Sequence, residues 1–253
     1  MPLRDAPTPR MAGHLPFMRG PSVGIAQLRP GQLAAFGVAL GDGREDTSLG
    51  PLALRETSAY FGSHFSSNMK AAMDIDRRMR LDGAAIADRL VDLGDIDFLS
   101  GDAPAADRVA ALCAEIARRG ALPAMLGGSA RFVAPMREGL EAALRRPVDV
   151  LAATARPPEG RACLVSIDLG AIASIWHGGS RLAGIDGLSL SQCREWLRGL
   201  GREDVVGVAL TGLAPARQGL STVKTGQRLL VTAVLDLVYA RLDALRPVER
   251  PHG

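Results

Sequence analysis

The segment "LVSIDLGAIASIW", Leu164 to Trp176, runs as an apolar strand and brings one carboxylate, Asp168, to its end. A metal centre or an acid–base pair there would need several acids close together. Gly170 and Ala173 follow instead. The ends of the other apolar runs are equally sparse. Gly41, Asp42 and Gly43 follow the run 32–40, and Gly94, Asp95 and Asp97 follow 89–93. Gly127, Gly128 and Ser129 follow 121–126; Ala153, Thr154 and Ala155 follow 148–152; Gly212 and Leu213 follow 205–211. Asp92 and Asp95 form a candidate carboxylate pair, weighed against a plainer loop in which aspartate bonds its own backbone. Ser129, after two glycines, has a nucleophile's setting, but no histidine is placed by sequence to serve it. The four histidines, His14, His64, His177 and His252, stand far apart, and no His-x-His, His-x-x-x-His or Cys-x-x-Cys occurs. There is no dinucleotide fingerprint, no P-loop lysine after "LGGSAR" and no G-x-S-x-G elbow.

Composition narrows the classes further. Hydrophobic residues make up 47% of the 253, enough for a sizeable core, while aromatics are only 4%. The net charge of +3 is spread along the chain with no basic run interleaved with aromatics, which argues against nucleic-acid binding. Cys113, Cys163 and Cys193 are isolated within apolar patterns and read as buried reduced thiols. "MPLRDAPTPRMAGHLPFM" lacks a continuous apolar stretch, and "LLVTAVLDLVYARL" is broken by Asp236, so neither a secretory leader nor a membrane span is expected. The expected location is cytoplasmic.

These strand ends need elements to position them. Apolar runs at 32–40, 89–93, 121–126, 148–152, 162–167 and 204–212 read as strands buried on both faces. Pro123 makes a central place uncomfortable for the third. Between them lie helical patterns at 49–61, 105–120, 131–144 and 189–201, and a long one at about 222–245. Gly120 stops the second, and Ser189 with Gln192 forms a capping box for the fourth. The alternation predicts an α/β protein, three-layer α/β/α with a mostly parallel central sheet. The expected division is an N-terminal arm over 1–30, one domain over 31–246 and a flexible tail over 247–253.

Six of the segments, in order, resemble the ureohydrolase superfamily of arginases and agmatinases. "GDGREDTSLGPLALRETS" is similar to that family's Gly-rich loop and GPxAIR, matching at Gly50, Pro51 and Arg55. "LVDLGDID" is similar to DxGD, "AMLGGSARF" to the segment with GGDHS, and "VSIDLGAIAS" to SxDxDxxDP. "GIDGLSLSQ" is similar to PGGLS and "VVGVALTGLAP" to the strand with EvxP. The resemblance implies an arginase-like fold and a family chemistry in which two metal ions activate water against a guanidinium carbon. It also implies that most ligand positions are vacated here. Ala130 stands at the histidine of GGDHS, with Ser129 at the preceding Asp. Gly170 stands at the second Asp of SxDxD, Ala173 at the Asp of DP and Gly212 at the Glu of EvxP. "LAATARPPEG" has neither Asp nor His where DAHxD is expected, and Asp168 is the ligand position retained. The resemblance thus implies a degenerate member with no metal or cofactor of its own. Its expected partner is an active ureohydrolase paralogue in a hetero-oligomer, trimer or hexamer, with nickel or manganese in that partner. The alternative is a regulatory module in which Asp168 pairs a cationic guanidine or amine.

Overall fold

The computed structural model describes residues 16–41, 47–62, 72–74, 79–81, 89–98, 104–152, 155–168, 189–200 and 203–214. Strand β1 (Leu33–Gly37) leads to helix α1 (Gly50–Gly62), and a small antiparallel hairpin, β2 (Ala72–Asp74) with β3 (Met79–Leu81), precedes β4 (Leu90–Asp95). Then come α2 (Ala105–Arg118), β5 (Leu122–Leu126), α3 (Val133–Leu144), β6 (Val148–Ala152), β7 (Ala162–Asp168), α4 (Leu190–Gly199) and β8 (Val205–Thr211). The helix expected at about 222–245 lies outside the described residues.

Six strands form one parallel sheet in the order β4-β1-β5-β8-β7-β6. The period of two along each strand divides its apolar side chains between the faces. Leu33, Ala35, Leu126, Val165 and Ile167 enter one cluster with Leu54 of α1 and Cys193 and Leu197 of α4. Ala34, Phe36, Met125, Leu164 and Ala209 enter another with Val109 and Ile116 of α2 and Met136 and Leu140 of α3. A helix pair on each side of a sheet that is apolar on both faces is the three-layer α/β/α arrangement expected. A register shift between Cys163 and Leu164, opposite Val205 and Gly207, keeps β8 in phase with β7. At Gly207 a Cβ would come within 3.0–3.1 Å of the side-chain ends of Leu140, Met136 and Leu164, which would have to shift slightly to admit it.

Local signals explain the element ends. Gly120, at φ +72°, ends α2 in a Schellman motif, with Gly120 N–H bonding Ala117 O at 2.9 Å and Ala121 N–H bonding Ile116 O at 3.2 Å. The Ser189–Gln192 capping box is formed as expected: Gln192 N–H donates to Ser189 Oγ at 3.2 Å, and Ser189 N–H donates to Gln192 Oε1 at 2.9 Å.

Two expectations are corrected. Strand β5 is central despite Pro123. Leu122 N–H bonds Gln32 O at 2.7 Å, so alternation turns position 123 toward β8, and pairing with β8 begins only at Ala124. The missing N–H therefore removes no ladder bond. The second correction concerns β4, which continues through Gly94 and Asp95 rather than ending at 93.

The described part of the expected arm, residues 16–30, is packed onto the domain. Phe17, Met18, Ile25 and Leu28 are buried, and Ser22 bridges to Asp92 so that the segment runs along β4. Among the described residues no helix is long and apolar enough to cross a membrane.

Candidate functional site

In an open parallel sheet the carboxyl ends of the strands are where ligands meet the chain. Asp168 is the last residue of β7 and the Cα partner of Thr211, the last residue of β8. By alternation both side chains lie on the α2/α3 side, in phase with Leu164 and Ala209 of that cluster. Asp168 is half-buried. Thr211 is fully buried, and among the described residues its hydroxyl has no hydrogen-bond partner.

Beside them the β5 loop turns through Gly127 and Gly128, at φ +70° and +77°. A side chain at 127 would run into the Pro51 ring, and one at 128 into Val38, so glycine is required by space as well as by φ. Gly212 N–H bonds Gly128 O at 3.1 Å, tying the β5 loop to the β8 loop. The N-terminus of α1 seats over this junction, with Gly50 against Leu213 O and Pro51 against Gly127.

Ser129 is buried and caps the turn Ala130–Phe132, its Oγ accepting from Arg131 N–H at 3.4 Å. That capping role takes the place of the nucleophile weighed from sequence. Ala130 is exposed, while Arg131 lies over the Phe132 ring at 4.8 Å and donates to Gly41 O at 3.2 Å. Gly170 and Ala173 lie outside the described residues, as do all four histidines.

The candidate pair Asp92 and Asp95 belongs to a different structure. Asp92 lies inside β4 with its side chain fully buried, not in a loop. Arg55 of α1 grips it with two prongs, Nε to Oδ2 at 2.8 Å and NH2 to Oδ1 at 3.1 Å. Phe17 N–H donates to Oδ2 at 2.6 Å and Gly94 N–H to Oδ1 at 2.7 Å. The Gly94 bond is the local backbone contact expected for an aspartate; the others come from distant segments. Arg55 NH1 also donates to Asp95, whose side chain is partly exposed. Burial alone would raise the Asp92 carboxyl, but the Arg55 contacts and the two N–H donors hold it below the ordinary value. Burial likewise works against the charge on Arg55, and Asp92 and Asp95 more than offset it. Ser58 completes the group, donating to Arg55 O and accepting Met18 N–H, each at 2.8 Å. Sequence reading missed this assembly, although one signal was present: Arg55 shares a buried helix face with Leu54 and Ser58 and therefore needs a carboxylate partner.

All three cysteines are buried and free, as expected. Burial pushes Cys193 up to about 11 and raises Cys113. Cys163 is raised by burial and by Asp149, Glu203 and Asp204. None is poised as a thiolate nucleophile or ligand.

A two-metal hydrolase centre needs carboxylate and imidazole donors converging at these strand ends. Among the described residues no three His, Cys, Asp or Glu side chains come together, and Asp95 is engaged by Arg55. The described donor set does not fit such a centre.

Comparisons with known proteins agree on the architecture. Residues 32–157 match the model of the arginase family. Proclavaminate amidino hydrolase from Streptomyces clavuligerus superposes with TM-score 0.69 at 17% identity, covering 94% of this chain and 100% of that one. A hypothetical agmatinase from Burkholderia thailandensis gives 0.69 at 17%, covering 92% of each chain. Formimidoylglutamase from Bacillus subtilis gives 0.70 at 11%, covering 96% of this chain and 98% of that one. At these identities the likeness shows the fold, which is arginase-like. No curated protein sequence matches the chain.

Proposed function

We propose, for a chain whose residues 32–157 match the arginase family and whose fold is arginase-like, that it is the non-catalytic subunit of a heteromeric C–N hydrolase. It would support an active ureohydrolase paralogue that carries the metal, nickel or manganese, in a cytoplasmic hetero-oligomer. The observation that carries this reading is the ligand inventory at the strand ends. Ala130 stands where the family pattern has histidine, Gly170 and Ala173 stand where it has aspartates, and Asp168 remains. One carboxylate does not hold two divalent ions, which take three or more protein ligands each. Clustered acids without metal would repel one another, so small neutral residues suit a scaffold that binds none.

For the partner's substrate we propose metformin, hydrolysed to guanylurea and dimethylamine, because the chain resembles the ligand-lacking subunit of heteromeric metformin hydrolase. The test is to express the chain alone and together with a ureohydrolase paralogue that has intact GGDHS, DAHxD and SxDxD motifs. Copurification, with metal and metformin hydrolysis confined to the complex, is the expected result. Stoichiometric nickel or manganese and guanidine hydrolysis in this chain alone would sink the reading. A second reading is a small-molecule-binding regulatory pseudoenzyme that takes a cationic guanidine or amine at the same edge. The unpartnered Thr211 hydroxyl favours it.

A further inference from the structure

The segment 16–30 wraps the edge of the sheet rather than lying on one face. Phe17 and Met18 enter the cluster on the α1 side with Leu54 and Leu90, whereas Ile25 and Leu28 enter the cluster on the α2/α3 side. Residues 21–23 cross between the two along β4. There Asp92 N–H donates to Pro21 O at 3.0 Å, and Val23 N–H donates to Asp92 O at 3.1 Å. Gly20 passes so close to β4 that a Cβ on it would lie 2.6 Å from Leu90 O.

The two halves are held differently. The second half leads into Gly31, whose N–H bonds Gly120 O at 2.9 Å, so it is anchored to the end of α2. The first half carries backbone strain. Met18 and Arg19, consecutive and neither a glycine, both stand at φ +55°. Each such residue lowers the closed population roughly 5- to 30-fold relative to a relaxed backbone, and strain of this kind persists only where the surroundings impose it. Here the surroundings are two buried acceptors. Asp92 Oδ2 accepts Phe17 N–H at 2.6 Å, and Ser58 Oγ accepts Met18 N–H at 2.8 Å. Asp92 thus holds the first half through its carboxylate, its N–H and its carbonyl at once.

We infer that residues 16–23 form a strained strap, clasped by Asp92, that opens as a unit about Gly24 while the sheet stays folded. Opening uncovers the β4 edge and the face of α1 that carries Leu54 and Ser58. The N-terminus of the same helix seats over the junction of the β5 and β8 loops, so the strap bears on how that seat is held. Neither the strap nor its clasp depends on which partner the chain has.

The test is residue-resolved hydrogen exchange on the full chain. In the wild type the Phe17 and Met18 amides should exchange at least about tenfold faster than the ladder amides of β5 and β7. Arg19→Gly, at an exposed position, relieves strain and should slow both strap amides about fivefold. Arg55→Met with Asp92→Leu removes the clasp without leaving a buried charge unpaired, and should speed them at least about tenfold while the ladder amides stay protected. Tryptic cleavage between Arg19 and Gly20 should rise in the same variant. If that variant does not fold, Ser58→Ala, which removes the Met18 acceptor, replaces it with the same direction expected. Strap amides that exchange together with the ladder in the wild type overturn the inference. So do strap amides that exchange no faster in the clasp variant, or no slower in Arg19→Gly.

Discussion

The β4 side and the β7–β8 side of this sheet handle polar groups in opposite ways. At β4, Asp92 is fully buried yet accepts from Arg55 twice and from the N–H groups of Phe17 and Gly94. At β8, Thr211 is as deeply buried and its hydroxyl has no hydrogen-bond partner among the described residues. Asp92 is the third residue of β4 and Thr211 the last of β8, both in one parallel sheet. The difference shows which polar groups the fold itself employs. The β4 group holds α1, β4 and the segment 16–30 together, so its charge is fully answered within the chain. The β8 hydroxyl has no partner among the described residues.

The comparison breaks most visibly at Asp92. Asp92→Ala leaves the Arg55 guanidinium buried without its main partner, and a loss of about 3–5 kcal/mol of stability is expected, measured by urea unfolding. Replacing the pair together, Arg55→Met with Asp92→Leu, should recover much of that, because a buried pair is a weak net stabiliser. If the single and double variants fall equally, the ion pair is not what holds α1 to β4. Acid offers the same comparison without mutation. The folded value of Asp92 lies below its unfolded one, near 3.9. Its contribution is therefore complete above about pH 4 and is lost as the pH falls through the folded value. Asp92→Asn should flatten that acid limb of the urea midpoint.

What the sequence made legible follows the same division. Continuous apolar runs identified the strands of the main sheet, and period-two burial explains why they read that way. The Gly120 stop and the Ser189–Gln192 cap were visible because both are local, spanning a few residues. The bond from Arg55 to Asp92 was not, because it closes over 37 positions and only the fold brings the partners together. Pro123 made a central place look uncomfortable, since the direction of its missing N–H depends on register with β8. Thr211 looked like the last residue of an apolar run; only the burial of its hydroxyl without a partner sets it apart. At the vacated edge, Ala130, Ser129 and Asp168 were found by motif position, and the structure adds the Ser129 cap and the neighbours of Asp168.

A packing change away from both regions calibrates these effects. At Gly139 of α3 a Cβ would collide with the carbonyl oxygen of Ala110, in the backbone of α2. The helices must part or bend to admit Gly139→Ala. A loss of about 1–3 kcal/mol is expected from such overpacking, despite alanine's better helix propensity. A stabilised variant would mean that α2 and α3 yield easily, and the Asp92 effect would then need to be read against a softer core.

The smallest expected effect lies on the β7–β8 side, where α4 joins the two strands. Ser189 and Gln192 satisfy each other's backbone N–H at the start of α4. Ser189→Ala removes one acceptor and should cost about 1 kcal/mol, whereas Ser189→Asp should hold stability, since aspartate caps as well. These N–H groups are exposed, so water replaces the lost cap in part. The fully buried Asp92 has no such substitute. A Ser189→Ala loss as large as that of Asp92→Ala would mean that α4 anchors the β7–β8 side as firmly as Arg55 anchors β4. The region would then owe its integrity to a helix start.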